Sequence, residues 1–310
     1  MTERIDVFAH VLPPRFYQSM LKIDPQIPQK FPFINIKTLS DMELRRDNFD
    51  GMTKQVISAV NINPEDFVNG NQAASLCQQA NVEISTMVAE NSDMFHAGIA
   101  MLPMNNVPAA IQIINTLPDD FVGIQVFTRA NGKSIADAEY DQIFKAAANR
   151  NLLVLLHPVF DSRKPDNNLV FSWEYELSQA MLELVQSGIY EKYPDLKIIV
   201  HHAGAMIPYF AGRIDHILPP AQADDFKKFY VDTALLGNAP ALQLAIDYFG
   251  PDHVLFGTDA PFAEQPAGAT QTIIKALADL RRPSKEMQAI NYENYQRLVA
   301  KIKWFFECSS

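Results

Sequence analysis

Polar residues able to bind metal ions or move protons follow four short apolar segments of the chain. They are His10, His157, the pair His201 and His202, and Asp259. Imidazole and carboxylate groups are ligands of zinc, manganese and iron. Histidine, with an ordinary pKa near 6.5, also suits general acid–base catalysis. Although 249 positions (259 − 10) separate the first of these residues from the last, they share one site if the apolar segments are strands of one parallel sheet.

Eight short apolar segments occur at fairly regular intervals. Their apolar residues are continuous rather than alternating, which is typical of strands covered on both faces in a parallel sheet. Helical periodicity is found between them, for example at 107–117, 137–150, 173–188 and 239–250. The predicted strands are 4–9, 54–60, 97–102, 122–127, 152–157, 197–202, 229–233 and 253–259. This alternation predicts an α/β fold, a (β/α)₈ TIM barrel in which the carboxyl ends of all strands meet at one rim.

The chain shows no Gly/Ser-rich linker or internal repeat, so we predict one domain over residues 1–310. The segment 11–50 is too long and Pro-rich for a simple crossover, and it predicts an insertion after strand 1 over the mouth of the barrel. The segment 284–306 predicts one or two additional helices outside the barrel.

Composition limits the classes of partner. With 48% hydrophobic and 20% charged residues, the chain suits a globular protein, and no apolar run is long enough to predict a membrane span. The net charge of −10 argues against nucleic acid as the main partner, because phosphate binding needs clustered Lys and Arg. A small anionic substrate is still compatible, since a few arginines can reverse the potential in a cleft. The distant Cys77 and Cys308, and no visible secretory signal, predict a reducing cytoplasm.

Each candidate residue also has an ordinary structural interpretation. His10 suits a turn, His157 a neutral core position, and Asp259 the N-cap of a helix that begins at Ala-Pro. Neighbouring strand residues point to opposite faces, so one of His201 and His202 is expected at the rim and the other beneath a helix. Packing alone does not explain why four strand ends carry ligand-type side chains.

With these residues in place, the chain resembles the amidohydrolase superfamily, and within it the branch of aminocarboxymuconate semialdehyde decarboxylase and γ-resorcylate decarboxylase. The resemblance runs nearly from end to end. The segments that carry it are IDVFAHVLP (5–13), similar to I-D-x-H-x-H-x-x-P; SDMFHAGIAMLPMNNVPAAIQ (92–112); LLVLLHP (152–158); YPDLKIIVHHAGAMIPYFAGRID (193–215); and DHVLFGTDAPF (252–262), similar to D-R-V-L-F-G-S-D-x-P-F.

The resemblance implies that His10, His157 and Asp259 surround one divalent metal ion, zinc or manganese. His202 takes the place of the family's catalytic histidine, because Ala-Gly-Ala and then Pro208 follow it. Asp259 is expected to carry protons as well as to bind the metal.

Two arginines are implied as substrate contacts. Arg213 matches an arginine that in relatives reaches toward the substrate carboxylate, often across a dimer interface, so a homodimer is expected. Arg45, or its neighbour Arg46, is a second candidate for the same task.

Phe8 is the departure from the family pattern, which has His or Glu at this position. Phenylalanine cannot coordinate a metal ion, and we expect Phe8 to line the substrate pocket. Catalytic zinc commonly uses three protein ligands plus water. The open alternatives are a functional three-ligand site, a weak site filled by a more available metal, and a metal-free relative.

Three functions are carried forward. The first is metal-dependent, non-oxidative decarboxylation of a small unsaturated or aromatic carboxylic acid, in which a proton is added at the carbon that loses CO₂. The second is hydrolysis or hydration of a lactone, ester or unsaturated acid on the same scaffold. The third is a metal-free, non-catalytic binding or regulatory protein.

Overall fold

A parallel sheet of seven strands forms the centre of the protein, whose computed structural model describes residues 3–161 and 163–307, with side chains to residue 300. Each strand lies beside the next one along the chain, without reversal of order, as expected for a sheet that curls. The strands are β1 Arg4–Val11, β2 Thr53–Ala59, β3 Phe95–Ala100, β4 Phe121–Phe127, β7 Leu153–His157, β8 Lys197–Val200 and β9 Tyr230–Val231, and a separate two-stranded hairpin contains β5 Arg129–Ala130 and β6 Lys133–Ser134.

The predicted eighth strand at 253–259 is not a regular strand. The segment 254–260 instead makes backbone hydrogen bonds to both outer strands of the sheet. Leu255 N donates to Val231 O of β9 at 2.8 Å, and Val7 N of β1 donates to Phe256 O at 2.9 Å. The segment therefore bridges the two edges of the sheet with an irregular backbone. The α/β class with a parallel sheet is confirmed, but the described residues contain only seven of the eight expected strands.

Helices connect the strands and cover the outer face of the sheet. The α-helices are Pro14–Ile23, Ile27–Lys30, Met42–Asp47, Gly70–Glu90, Val107–Thr116, Asp141–Asn149, Ser172–Gln186, Ile189–Lys192, Ala211–Ile217, Pro220–Phe226, Ala239–Phe249, Thr270–Asp279, Ser284–Gln288 and Asn294–Glu307. Shorter 3₁₀ turns are Pro32–Asn35, Lys37–Leu39, Pro64–Asp66, Ala138–Tyr140, Pro208–Phe210 and Pro251–His253, and a π-helical turn is Ala289–Glu293. Within the described ranges, none of these helices is both long and apolar enough to cross a membrane.

Local sequence explains where several helices begin. Asn69, Asn106 and Asn238 each accept a hydrogen bond from a backbone N–H in the first helical turn. Asparagine is a favoured N-cap because its side chain satisfies an N–H that has no partner within the helix. A proline also stands in the first turn of Val107–Thr116 and of Ala239–Phe249, where a missing N–H costs nothing.

The C-terminal helices close one part of the core. Tyr295, Leu298 and Val299 are buried against Ile5 and Val7 of β1 and against apolar side chains of the neighbouring strands. The segment 284–306 is helical as predicted, and its second half packs against this sheet cluster. The segment between β1 and β2 consists of short α and 3₁₀ helices, and its Phe33 lines the cavity described below.

Candidate active site

One cavity of about 610 Å³ contains all four side chains that the sequence predicts to form a site. His10, His157, His202 and Asp259 line it together, because they follow strand ends that share one rim of the sheet. Its volume is in the range of small-molecule sites. The remaining lining is mainly apolar or aromatic: Phe33, Val60, Leu169, Val170, Trp173, Ala234, Leu235, Leu236, Phe262 and Ala263, with Asn61, Glu174 and Asn238 as further polar residues.

His10 is held from both sides of its ring. Its Nδ1 lies 3.0 Å from Ser58 Oγ on β2, and its Nε2 lies 3.3 Å from Asp259 Oδ1. Its backbone is fixed as well, because its carbonyl oxygen accepts a hydrogen bond of 2.7 Å from Arg45 Nη1.

Asp259 is positioned by a buried carboxylate that the sequence analysis missed. Asp6 on β1 accepts hydrogen bonds from Thr258 N at 3.0 Å and from Thr258 Oγ1 at 2.5 Å. Burial, only partly offset by these bonds, raises the pKa of Asp6 to about 7. Asp259 itself has φ 61°, a left-handed conformation that is costly for a non-glycine residue and occurs often at functional sites.

His157 ends β7 in a defined orientation. The carbonyl oxygen of Pro158 can only accept, so His157 Nδ1 at 2.6 Å donates to it; Asn61 Nδ2 donates to the same oxygen at 3.1 Å. In the neutral ring the lone pair is then on Nε2. Burial, with the nearby imidazoles of His10 and His201, holds the pKa of His157 well below its usual value. The neutral ring therefore offers the Nε2 lone pair, as metal coordination requires.

His201 lies inside the sheet and not under a helix, which corrects the sequence expectation. The residue follows β8 and continues its inward-facing positions after Ile199, and it is fully buried. Its Nδ1 is 2.7 Å from Asp232 Oδ2, its Nε2 is buried without a hydrogen-bond partner among the described residues, and its ring stacks on Phe8. Burial, which outweighs the Asp232 carboxylate, lowers the pKa of His201.

His202 reaches the cavity because the backbone turns sharply after β8. The φ angles of His202, Ala203, Gly204 and Ala205 are all positive, between 53° and 75°. The ring of His202 stacks on Trp173 with centroids 6.1 Å apart, and its Nδ1 lies 2.7 Å from Glu174 Oε1. Burial opposes the charged ring, but the Glu174 carboxylate prevails and raises the pKa of His202 to about 9.

The donor chemistry at this cavity fits a divalent cation. Two atoms each about 2 Å from one tetrahedral ion are about 3.3 Å apart, which is the separation between His10 Nε2 and Asp259 Oδ1. His157 offers a free Nε2 lone pair to the same cavity. In the described parts of the chain, however, no three His, Cys, Asp or Glu side chains form a complete metal-binding cluster.

The sequence predicted that Phe8 lines the pocket, but Phe8 is not among the residues of the cavity wall. It is 1% exposed, and its ring centroid lies 4.8 Å from that of His10 and 5.5 Å from that of His157. The physical reason is the depth of Phe8 in the sheet. Phe8 precedes His10 by two residues on β1, which places it about 6.6 Å further inside. Phe8 thus packs beneath the candidate ligands and does not line the pocket.

Neither predicted substrate arginine reaches the cavity of its own chain. Arg45 is buried beside β2, where its guanidinium donates to Gln55 Oε1, His10 O and Thr38 O. Arg213 lies on the exposed helix Ala211–Ile217 and lines a separate, largely apolar groove with Phe210 and Ile217. Arg45 supports the His10 backbone, and Arg213 lies on the outer surface.

Comparison with known proteins identifies the family. The family model described as Amidohydrolase matches residues 5–299, nearly the whole chain. The chain belongs to the amidohydrolase family. The resemblance found from the sequence motifs is therefore confirmed, and the enzyme class with it.

Several relatives of this amidohydrolase are decarboxylases. The chain is 27% identical over 266 residues to 2-amino-3-carboxymuconate-6-semialdehyde decarboxylase of Dictyostelium discoideum, covering 79% of this chain and 73% of that protein. It is 27% identical over 290 residues to 6-methylsalicylic acid decarboxylase of Penicillium expansum, covering 85% and 86%. A crystal structure of dihydroxybenzoic acid decarboxylase from Polaromonas sp., with bound manganese and the inhibitor 2-nitroresorcinol, is similar in fold, with a TM-score of 0.78, 22% identity and 97% coverage of both chains.

Proposed function

We propose that this amidohydrolase is a metal-dependent, non-oxidative decarboxylase of a small aromatic carboxylic acid. The observation that carries the proposal is one cavity lined by three candidate ligand side chains, His10, His157 and Asp259, together with the His202 imidazole and aromatic walls. The decarboxylases among its relatives support the reaction type.

The walls of the cavity suit a planar ring. Trp173, Phe33 and Phe262 present aromatic surface, and Leu169 and Leu235 add aliphatic surface. Aromatic side chains bury large apolar areas and favour stacked or edge-to-face contacts with other rings. A benzoate-type substrate is better matched by this lining than an extended, highly charged acid.

His10, His157 and Asp259 would hold the divalent cation, zinc or manganese. When bound, such a cation supplies Lewis-acid polarisation of a substrate oxygen. His157 is neutral and its Nδ1–H donates a hydrogen bond to Pro158 O. Its Nε2 is therefore available as a ligand without first losing a proton. The same proposal includes a closed barrel in which the segment 254–260 takes the place of the eighth strand.

Decarboxylation requires a proton at the carbon that carries the carboxylate. His202 Nε2, on the ring edge that faces the cavity, transfers its proton to this carbon, which becomes tetrahedral. The bond to the carboxylate carbon then breaks, its electron pair restores the aromatic system, and neutral CO₂ leaves. His202 regains a proton from water. Asp259 is a second carrier within the same cavity.

An apolar surface around Arg213 supports the homodimer. Tyr209 is 78% exposed and Ile217 63% exposed, with Tyr175 and Phe210 nearby in the same groove region. Monomeric proteins seldom expose contiguous apolar patches of this kind without a partner. In the proposed dimer a second copy docks on this face, and Arg213 contacts the other subunit's substrate carboxylate, as the family resemblance implies. The buried, unpaired Cys77 also suits a reducing compartment.

A substrate panel tests the proposed function. Purified protein with measured metal content is incubated with hydroxybenzoates, carboxylated phenols and muconates, and CO₂ release is followed. In D₂O the product should carry deuterium at the carbon that lost its carboxylate. Fully metal-loaded protein that releases no CO₂ from the panel overturns the proposal. Lactone turnover without CO₂ would favour the hydrolase alternative, and a metal-free protein inactive on both panels would favour the non-catalytic one.

A further inference from the structure

We propose that Glu174 is the positioning residue of His202, holding the imidazole with Nε2 directed into the cavity. The inference rests on the proposed decarboxylase function and deepens it by assigning the group that prepares His202 as the proton donor. Glu174 is not part of any motif that carries the family resemblance. It lies on the helix Ser172–Gln186, which contains none of the candidate metal ligands.

The contact between Glu174 and His202 is direct. Glu174 Oε1 lies 2.7 Å from His202 Nδ1, a short distance typical of a charge-assisted hydrogen bond. The carboxylate can only accept, so Nδ1 carries the proton and donates it. Proton exchange with a substrate is then confined to Nε2, which no described residue hydrogen-bonds and which belongs to a side chain lining the cavity.

The helix Ser172–Gln186 holds His202 at two points and the turn that follows it at a third. Trp173 stacks on the imidazole with the two planes 26° apart, and Glu174 fixes rotation within that plane. Four residues along the same helix, Ser178 Oγ accepts a hydrogen bond of 3.0 Å from Met206 N, in the turn that follows His202. The ring and the left-handed turn that presents it are therefore held by one rigid element.

Within the described ranges, His202 is the one cationic side chain recorded in contact with the Glu174 carboxylate. Its second oxygen, Oε2, is buried and has no hydrogen-bond partner among the described residues. Neutral His202 would leave this carboxylate poorly compensated in a partly buried place, which is energetically costly. The carboxylates of Asp259 and Asp232 also favour the charged ring, and burial opposes it.

Nuclear magnetic resonance (NMR) of the histidine side chains tests the positioning without turnover. In the metal-loaded wild-type protein, the His202 Nδ1–H proton should resonate far downfield, as expected for a charge-assisted hydrogen bond, and in Glu174→Gln it should shift upfield or exchange with solvent. Glu183→Gln is the matched control. The substitution Glu183→Gln removes the same charge from the same helix. Glu183, however, contacts Ser134 and Gln179 and does not line the cavity.

Kinetics on a substrate found in the panel supply the second readout. Glu174→Gln should lower kcat by about 10- to 100-fold, the range found when the hydrogen-bonded partner that orients a metal-bound histidine is removed, with KM changed by less than about threefold. Glu174→Asp should recover part of kcat, and Glu183→Gln should match wild type.

The two proposals fail in different ways. An unchanged His202 Nδ1–H resonance together with wild-type kcat in Glu174→Gln overturns the positioning role. A loss that appears only in KM, or equally in Glu183→Gln, also overturns it. If no substrate is decarboxylated but the downfield Nδ1–H resonance is present in wild type and shifts or is lost in Glu174→Gln, the proposed function fails while the role of Glu174 stands.

Discussion

The ring of Phe8 lies flat against the ring of His201, with centroids 3.4 Å apart and planes inclined by 11°. Phe8 stands at the position where the family pattern has a metal ligand, and it covers one face of a histidine already paired with Asp232. The apolar ring therefore replaces a ligand with packing, because Phe8 also contacts the rings of His10 and His157.

Restoring a ligand at this position should strengthen metal binding. In Phe8→His a further imidazole would stand beside His10 and His157, and we expect the dissociation constant for Zn²⁺ or Mn²⁺ to fall by at least about tenfold. Metal retained during dialysis against a chelator measures this. Phe8→Leu, which keeps an apolar side chain, is the control and should match wild type. Equal retention of metal by wild type, Phe8→His and Phe8→Leu would contradict a metal site adjacent to position 8.

Removing a candidate ligand should empty the site. His10→Ala and Asp259→Asn each delete one member of the pair separated by 3.3 Å, so metal content per chain should fall well below that of wild type when measured by elemental analysis. His253→Ala serves as the control, because His253 lies outside the cavity and bonds to Phe229 O. Full metal content in both ligand variants would disprove the assignment.

Arg45 is expected to stabilise the fold and not to bind substrate. Arg45→Ala would leave Gln55 Oε1 and two buried carbonyl oxygens without their donor, and we expect the free energy of unfolding to fall by about 3 kcal/mol. Urea denaturation measures the loss. Exposed Arg15→Ala is the comparison and should cost far less. Unchanged stability combined with a large increase in KM would return Arg45 to the substrate site.

The carboxyl group of Glu65, a partly buried residue whose Oε2 is buried, predicts a pH-dependent stability outside the site. Burial, with a smaller effect of the Asp66 carboxylate, raises the pKa of Glu65 from 4.5 to about 8. The folded protein then holds this proton more tightly than the unfolded chain, so this contribution to stability is complete below pH 4.5 and is lost as the pH rises to about 8.

Glu65→Gln should remove this dependence. Relative to wild type, the variant should gain on the order of 3 kcal/mol in free energy of unfolding between pH 5 and pH 8. Urea denaturation at the two pH values measures the difference, with exposed Glu43→Gln as the control. A wild-type pH dependence in Glu65→Gln would show that another group is responsible.

The apolar face near Arg213 should mediate self-association. Ile217→Asp places a charge in its centre, and we expect the dimer to dissociate into monomers in light scattering after gel filtration. Val82→Asp is the matched control, because Val82 is 62% exposed on the distant helix Gly70–Glu90. A wild-type protein that is monomeric at all concentrations would contradict the dimer.

The sequence by itself determined the parallel sheet and the rim on which the site lies. Continuous apolar segments identified the seven regular strands, and the carboxyl ends of parallel strands must share one edge. The strand ends therefore place His10, His157, Asp259 and one of the pair His201 and His202 together, the family resemblance selects His202, and these four side chains line one cavity.

Only the tertiary structure decided what supports these residues. Glu174 meets His202 because the helix Ser172–Gln186 packs across the turn after β8, and no local pattern encodes a contact between residues 28 positions apart. Periodicity gives the face of a strand but not the depth along it, so it could not show that Phe8 lies beneath the cavity. The irregular segment 254–260 is likewise set by hydrogen bonds to two distant strands, which local propensity does not specify.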